Sequence, residues 1–104
     1  KVKNEEPTYY ANTSKVSTSQ FASGSIIEGQ VANSVLSRNI HIHKDSLVKD
    51  SILFPRVVIG EGAQVEYAIL DKGVEVADGV VIRGTAEHPV VVKKGAKVTE
   101  DIHS

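Results

Sequence analysis

Val35 to Ile82 reads VLSRNIHIHKDSLVKDSILFPRVVIGEGAQVEYAILDKGVEVADGVVI, and it repeats with a period of seventeen residues. Shifted by that period, Val35 falls on Ile52 and Ile69, and Leu36 falls on Leu53 and Leu70. The columns Ile40/Val57/Val74, Ile42/Ile59/Val76 and Val48/Val65/Ile82 follow in the same register. At 40% hydrophobic composition one such column arises by chance roughly one time in sixteen, so five in a common register mark a true repeat. Within each period the columns lie about six, six and five residues apart, a hexapeptide rhythm trimmed by one residue. Repeats this short cannot bury an apolar face alone, so they stack as coils of a parallel β-helix.

Each side of a coil alternates apolar and polar residues, as in Ile40-His41-Ile42-His43 and Ser46-Leu47-Val48-Lys49, which marks strands with one buried face. Ile42, Ile59 and Val76 are expected inside, with His41, Val58 and Glu75 outside. Turn residues fill the corners: Gly60-Glu61-Gly62, Asp71-Lys72-Gly73, Ala77-Asp78-Gly79 and Arg83-Gly84. Small columns, Ser34/Ser51/Ala68 and Ser46/Ala63/Val80, suit the narrow space near a corner. The expected architecture is an all-β parallel β-helix of four to five coils over residues 14–84, preceded by an extended linker at 1–13. Between Ser14 and Ser34 the rhythm is ragged, with Val16, Ala22, Ile26 and Val31 as inward candidates and a coil shortened in its middle by a residue or more. Tyr9 and Tyr10 are placed against this first coil. Beyond Gly84 the register breaks, and residues 85–104 read as an irregular segment with a C-terminal strand pair around Lys93-Lys94-Gly95.

Composition narrows function by exclusion. Twelve Lys+Arg against thirteen Asp+Glu give a net charge of −1, so no field of one sign draws nucleic acid or anionic membrane. Aromatics at 5% are too few for a base-stacking platform. No run of eighteen apolar residues is present, and the absence of cysteine removes disulfides and thiolate metal sites. A cytoplasmic setting is expected. The opening Lys1-Val2-Lys3-Asn4 reads as the middle of a longer polypeptide, so the chain is expected to be part of one.

The ordered phrases Asn33-Ser34-Val35-Leu36, Asp50-Ser51-Ile52-Leu53-Phe54-Pro55, Ile59-Gly60-Glu61-Gly62-Ala63 and Ala68-Ile69-Leu70-Asp71-Lys72 carry a resemblance. Together with Pro7-Thr8-Tyr9-Tyr10 upstream, they are similar to the C-terminal domain of glucose-1-phosphate adenylyltransferase (ADP-glucose pyrophosphorylase). The ending Val90-Val91-Val92-Lys93-Lys94-Gly95 resembles the regulatory-type subunit of bacterial glycogen synthesis. The resemblance implies a left-handed winding, an exception to the usual right-handed crossover. It further implies a non-catalytic assembly and regulatory domain, associating with like or related subunits. The ATP and Mg²⁺ of the parent reaction would belong to a separate catalytic domain. No catalytic, cofactor-binding or metal-binding residue is carried over. Some activator-regulated members have arginines on the coil matching Gln64-Val65-Glu66-Tyr67, where this chain has no cation; Arg38 and Arg56 match basic positions only loosely.

Other groups have the residue types for chemistry. His41 and His43 form an H-x-H pair that could share a metal, or supply the general base of a hexapeptide acyltransferase, the alternative enzyme class. Their column partners are Val58/Glu75 and Gly60/Ala77, so the nearest further ligand, Glu75, sits two coils away. The pair reads as two solvated histidines. Glu61, Glu66, Asp71 and Asp78 read as a solvated rim, and the glycine corners lack the helix start and lysine of a phosphate loop. With Val35/Ile52/Ile69 taken as inward, alternation turns Leu36, Leu53 and Leu70 outward. Stacked at about 4.8 Å beside Phe54, these leucines form an apolar strip expected to be an interface. A plain scaffolding solenoid without ligand is the remaining alternative.

Overall fold

The computed structural model describes residues 24–103, together with the backbone of Tyr9–Tyr10 and Lys15–Ser17. Three flat parallel sheets form the faces of a β-solenoid of about five turns, with no helix among the described residues. The first face stacks Tyr9–Tyr10, Ile26–Ile27, His41–Ile42, Val58–Ile59, Glu75–Val76 and Lys97–Val98. The second stacks Lys15–Ser17, Gln30–Ala32, Leu47–Lys49, Gln64–Glu66, Val81–Arg83 and Ile102–His103. The third stacks Val35–Leu36, Ile52–Leu53, Ala68–Leu70 and Val90–Val92.

Strands of two or three residues are enough because most corners bend at a residue with positive φ, the tightened Glu28-Gly29 corner being an exception. Asp45, Gly62 and Gly79 form one corner ladder, and Asn33, Asp50 and Tyr67 another. Gly24, Asn39, Arg56, Gly73 and Gly95 form the third. Asn and Asp enter this region more readily than other side-chain-bearing residues, whereas Arg56 and Tyr67 bear its steric cost.

Inside, the columns Ile40/Val57/Val74, Ile42/Ile59/Val76 and Val48/Val65/Ile82 are buried, as the period predicts. His41 and Val58 are half-buried and Glu75 is exposed on the opposite side of the same strands. The buried serines satisfy backbone groups between coils. Ser34 Oγ donates to Ala32 O at 2.9 Å and accepts from Ser51 N at 3.1 Å. Ser51 Oγ repeats the pattern one coil on, donating to Lys49 O and accepting from Ala68 N at 3.2 Å. Such bridges remove the cost of buried unpaired N–H groups.

Three sequence expectations are corrected. Leu36, Leu53 and Leu70 point inward, with exposures of 3%, 0% and 0%, while Val35, Ile52 and Ile69 point outward. Ser34 and Ser51 share the inward face with the leucines, because residues two apart on a strand lie on the same side. Ile26 is exposed and Ile27 is buried, whereas Val31 is inward as expected. The side chain of Val16, the side chains of Tyr9 and Tyr10, and Ala22 lie outside the described residues. The solenoid also passes both expected boundaries. Tyr9–Tyr10 pairs in parallel with Ile26–Ile27, within the segment expected to be a linker. Val90–Val92, Lys97–Val98 and Ile102–His103 each join a different face, so the Lys93-Lys94-Gly95 turn is a further coil corner. Residues 84–89 are a loop inserted at one corner, after which the winding resumes.

The shortened coil is real, and its location matters. Ile26 pairs with His41, fifteen residues on, whereas His41 pairs with Val58, seventeen on. The two missing residues come from the corner at Glu28-Gly29. A Cβ on Gly29 would lie 2.7 Å from Ser46 O and 2.9 Å from His43 O, so only glycine fits this tightened corner.

Candidate functional site

Two outward surfaces stand apart from the solvated remainder. On the third face Val35 pairs with Ile52, Ile52 with Ile69, and Ile69 with Val91, all in parallel register. Val35, Ile52 and Val91 are exposed by 46%, 41% and 65%, and Ile69 is half-buried. Phe54, also exposed, follows this face at its next corner. The result is a ladder of β-branched side chains on a flat sheet, with no charge in the column. The expected apolar strip therefore exists on this face, but it consists of the valine–isoleucine column. Of the four residues first assigned to it, only Phe54 faces solvent. Val91 was missed because it follows the inserted loop, outside the seventeen-residue register.

The first face carries polar groups instead. The shortened corner brings Glu28 directly beneath His43, with Glu28 N donating to Ile42 O at 2.8 Å. Glu28 Oε1 lies 3.5 Å from His41 Nε2 and 4.0 Å from His43 Nδ1. The two imidazoles stack with centroids 3.9 Å apart and planes 19° from parallel. His41 Nε2 is shielded from solvent and makes no hydrogen bond. The histidines are thus not simply solvated: they are half-buried and gathered around one carboxylate. Glu75, the nearest partner by a seventeen-residue shift, is engaged elsewhere, with Oε1 3.4 Å from Lys97 Nζ. That shift also places Glu28 beneath Asp45. The signal that locates Glu28 correctly is the fifteen-residue spacing of the first coil.

The remaining acids do corner work. Asp78 Oδ1 accepts from Glu61 N at 2.8 Å, and Asp71 Oδ1 accepts from Lys72 N at 2.7 Å. Glu66 and Glu61 pair with Arg83 and Lys44 at the surface, at 3.7 and 3.6 Å. Among the described residues no helix is long and apolar enough to cross a membrane.

Three stacked faces, αL corners and an aliphatic prism define a hexapeptide-repeat β-solenoid. Residues 4–101 match the family described as GlmU-like, C-terminal hexapeptide, and the chain belongs to that family. Over 95 residues it is 40% identical to the glycogen biosynthesis protein GlgD of Bacillus subtilis, covering 91% of this chain and 28% of that protein. Over 80 residues it is 40% identical to glucose-1-phosphate adenylyltransferase of Bacillus cytotoxicus, covering 77% of this chain and 21% of the enzyme. The chain thus spans less than a third of these relatives, and it matches their C-terminal part. Among solved structures, perosamine N-acetyltransferase from Caulobacter crescentus superposes with a TM-score of 0.50 at 20% identity. That match covers 95% of this chain and 51% of the acetyltransferase chain, and at this identity it speaks for the fold alone.

Proposed function

We propose that this domain is the C-terminal assembly and regulatory module of a longer subunit in glycogen biosynthesis. The remainder of that subunit would belong to the glucose-1-phosphate adenylyltransferase class, making ADP-glucose and diphosphate from ATP and glucose 1-phosphate with Mg²⁺. The relatives in glycogen synthesis, and the small share of their length that this chain spans, support the reading. A cytoplasmic setting accords with this pathway and with the lack of cysteine. The acyltransferase alternative has only the likeness in fold in its favour.

One observation carries the assembly role: the outward ladder of Val35, Ile52, Ile69 and Val91 on the third face. Fully burying an aliphatic side chain contributes about 1.5–3 kcal/mol, and these are already partly covered by their neighbours. Association costs about 4–15 kcal/mol in lost freedom, so the ladder forms the apolar centre of a contact whose rim adds the rest. The partner we infer is the solenoid of a like or related subunit, whose own flat face could lie against this one. Sedimentation velocity of the chain tests this: wild type is expected above monomer mass, and Ile52→Lys at monomer mass while still folded. A monomeric wild type at every concentration would contradict self-association through this face.

A further inference from the structure

We propose that Glu28, His41 and His43 form a binding site for a divalent first-row cation, with Zn²⁺ the best match. Their donor atoms, one from each residue, all lie within 4.8 Å of one another. Two imidazoles and one carboxylate are a zinc donor set, and they leave a fourth position open. Bonds of about 2.0–2.1 Å place tetrahedral donors about 3.3–3.4 Å apart. The separation of 3.5 Å between Glu28 Oε1 and His41 Nε2 is already close to that spacing, whereas His43, 4.0 Å away at Nδ1, must rotate out of its stack on His41 to aim its lone pair at the same ion.

Other features point to a ligand here beyond the residue types. His41 Nε2 has lost water without gaining a hydrogen bond, an arrangement that a cation in front of its lone pair would satisfy. Both rings lie on one side of the strand above a single carboxylate, so turning one ring out of the stack is enough to bring three donors together. Ile26 below His41 and Val58 above it flank the cluster with apolar surface, which strengthens charge–ligand attraction by excluding water. Above His43 a groove of about 210 Å³, lined by His43, Val58, Gly60 and Glu75, leaves that side of the ring uncovered. Gly60 sits over His43 in the column and adds no side chain to close it. The shortened corner is what builds the cluster: the missing pair of residues, permitted by Gly29, moves Glu28 from beneath Asp45 to beneath His43. This inference is independent of the third-face ladder.

The probe is ZnCl₂ titrated into the chain in a non-coordinating buffer, followed by calorimetry and by ¹⁵N shifts of the histidine rings. One Zn²⁺ per chain is expected, with metal-bound shifts at His41 Nε2 and His43 Nδ1. Glu28→Gln, nearly isosteric, should weaken binding at least tenfold, and His41→Ala with His43→Ala should abolish it. The exposed His88 and His103 should be replaceable by Ala without effect. No saturable binding at millimolar metal would overturn the proposal, as would binding that survives Glu28→Gln and His41→Ala or that disappears with His88→Ala or His103→Ala.

Discussion

Along the first face the outward column runs Ile26, His41, Val58, Glu75, Lys97; along the third it runs Val35, Ile52, Ile69, Val91. Both columns occupy equivalent places in the repeat, and both lie beside inward columns of buried aliphatics. Stacking demands apolar residues on the inside of every face, so the inward columns say little about function. The outward columns are free of that demand, and there the faces diverge. One is mixed, with ion pairs and a histidine cluster, and the other is aliphatic in every coil. An apolar outward column raises solubility and aggregation hazards unless something covers it. Its persistence through four coils is the reason for reading the third face as a contact surface.

The largest contrast is expected between neighbouring residues of one strand. Leu53→Ala removes a fully buried side chain from the prism and should destabilise the chain by about 2–5 kcal/mol. Ile52→Ala, one residue earlier and 41% exposed, should change the stability of the monomer by no more than about 0.5 kcal/mol. Urea unfolding of both variants separates them. Similar losses would mean that the two sides of the strand are not distinguished as described.

A smaller effect is expected at the corner entering the third face. Ser51→Ala leaves Ala68 N without the hydroxyl it uses at 3.2 Å, and should cost about 1–3 kcal/mol by thermal or urea unfolding. One coil further on, where Ala68 stands in the serine column, Val90 N instead donates to Tyr67 O at 3.0 Å. If Ser51→Ala proves neutral, the same backbone substitution is available at both levels and the serine ladder is dispensable.

The smallest effect is a gain. Arg56 sits at a corner with φ 65°, a conformation that Asn39 adopts one coil earlier with φ 60°. Arg56→Asn should stabilise the chain by about 0.5–1 kcal/mol, since Asn tolerates this region better than Arg. A melting temperature that falls would show that the arginine side chain contributes more than its backbone strain costs.

Most of the fold was legible in the sequence because a seventeen-residue period constrains every coil at once. The columns through Ile42, Ile59 and Val76 and through Val48, Val65 and Ile82 needed only alternation with polar residues to assign their faces. The third face lacked that contrast: Val35-Leu36, Ile52-Leu53 and Ile69-Leu70 are aliphatic at both positions. Hydropathy therefore could not decide which residue of each pair points in. Small residues could have done so, because Ser34, Ser51 and Ala68 stand two positions before the leucines just as Ser46 and Ala63 stand two before Val48 and Val65. The candidate cation site was hidden for a different reason. It depends on the one corner where the period fails, and extrapolating the regular repeat assigns Glu28 the wrong neighbour. The inserted loop at 84–89 likewise concealed Val91 and the last coil.

Association is assigned here to the third face and to no other. Sedimentation velocity on Ile52→Lys beside Val81→Lys tests it most directly, since Val81 is an outward aliphatic on the second face. Wild type and Val81→Lys are expected to sediment alike above monomer mass, while Ile52→Lys sediments as a folded monomer. Equal masses for all three proteins, or a loss of mass confined to Val81→Lys, would contradict it.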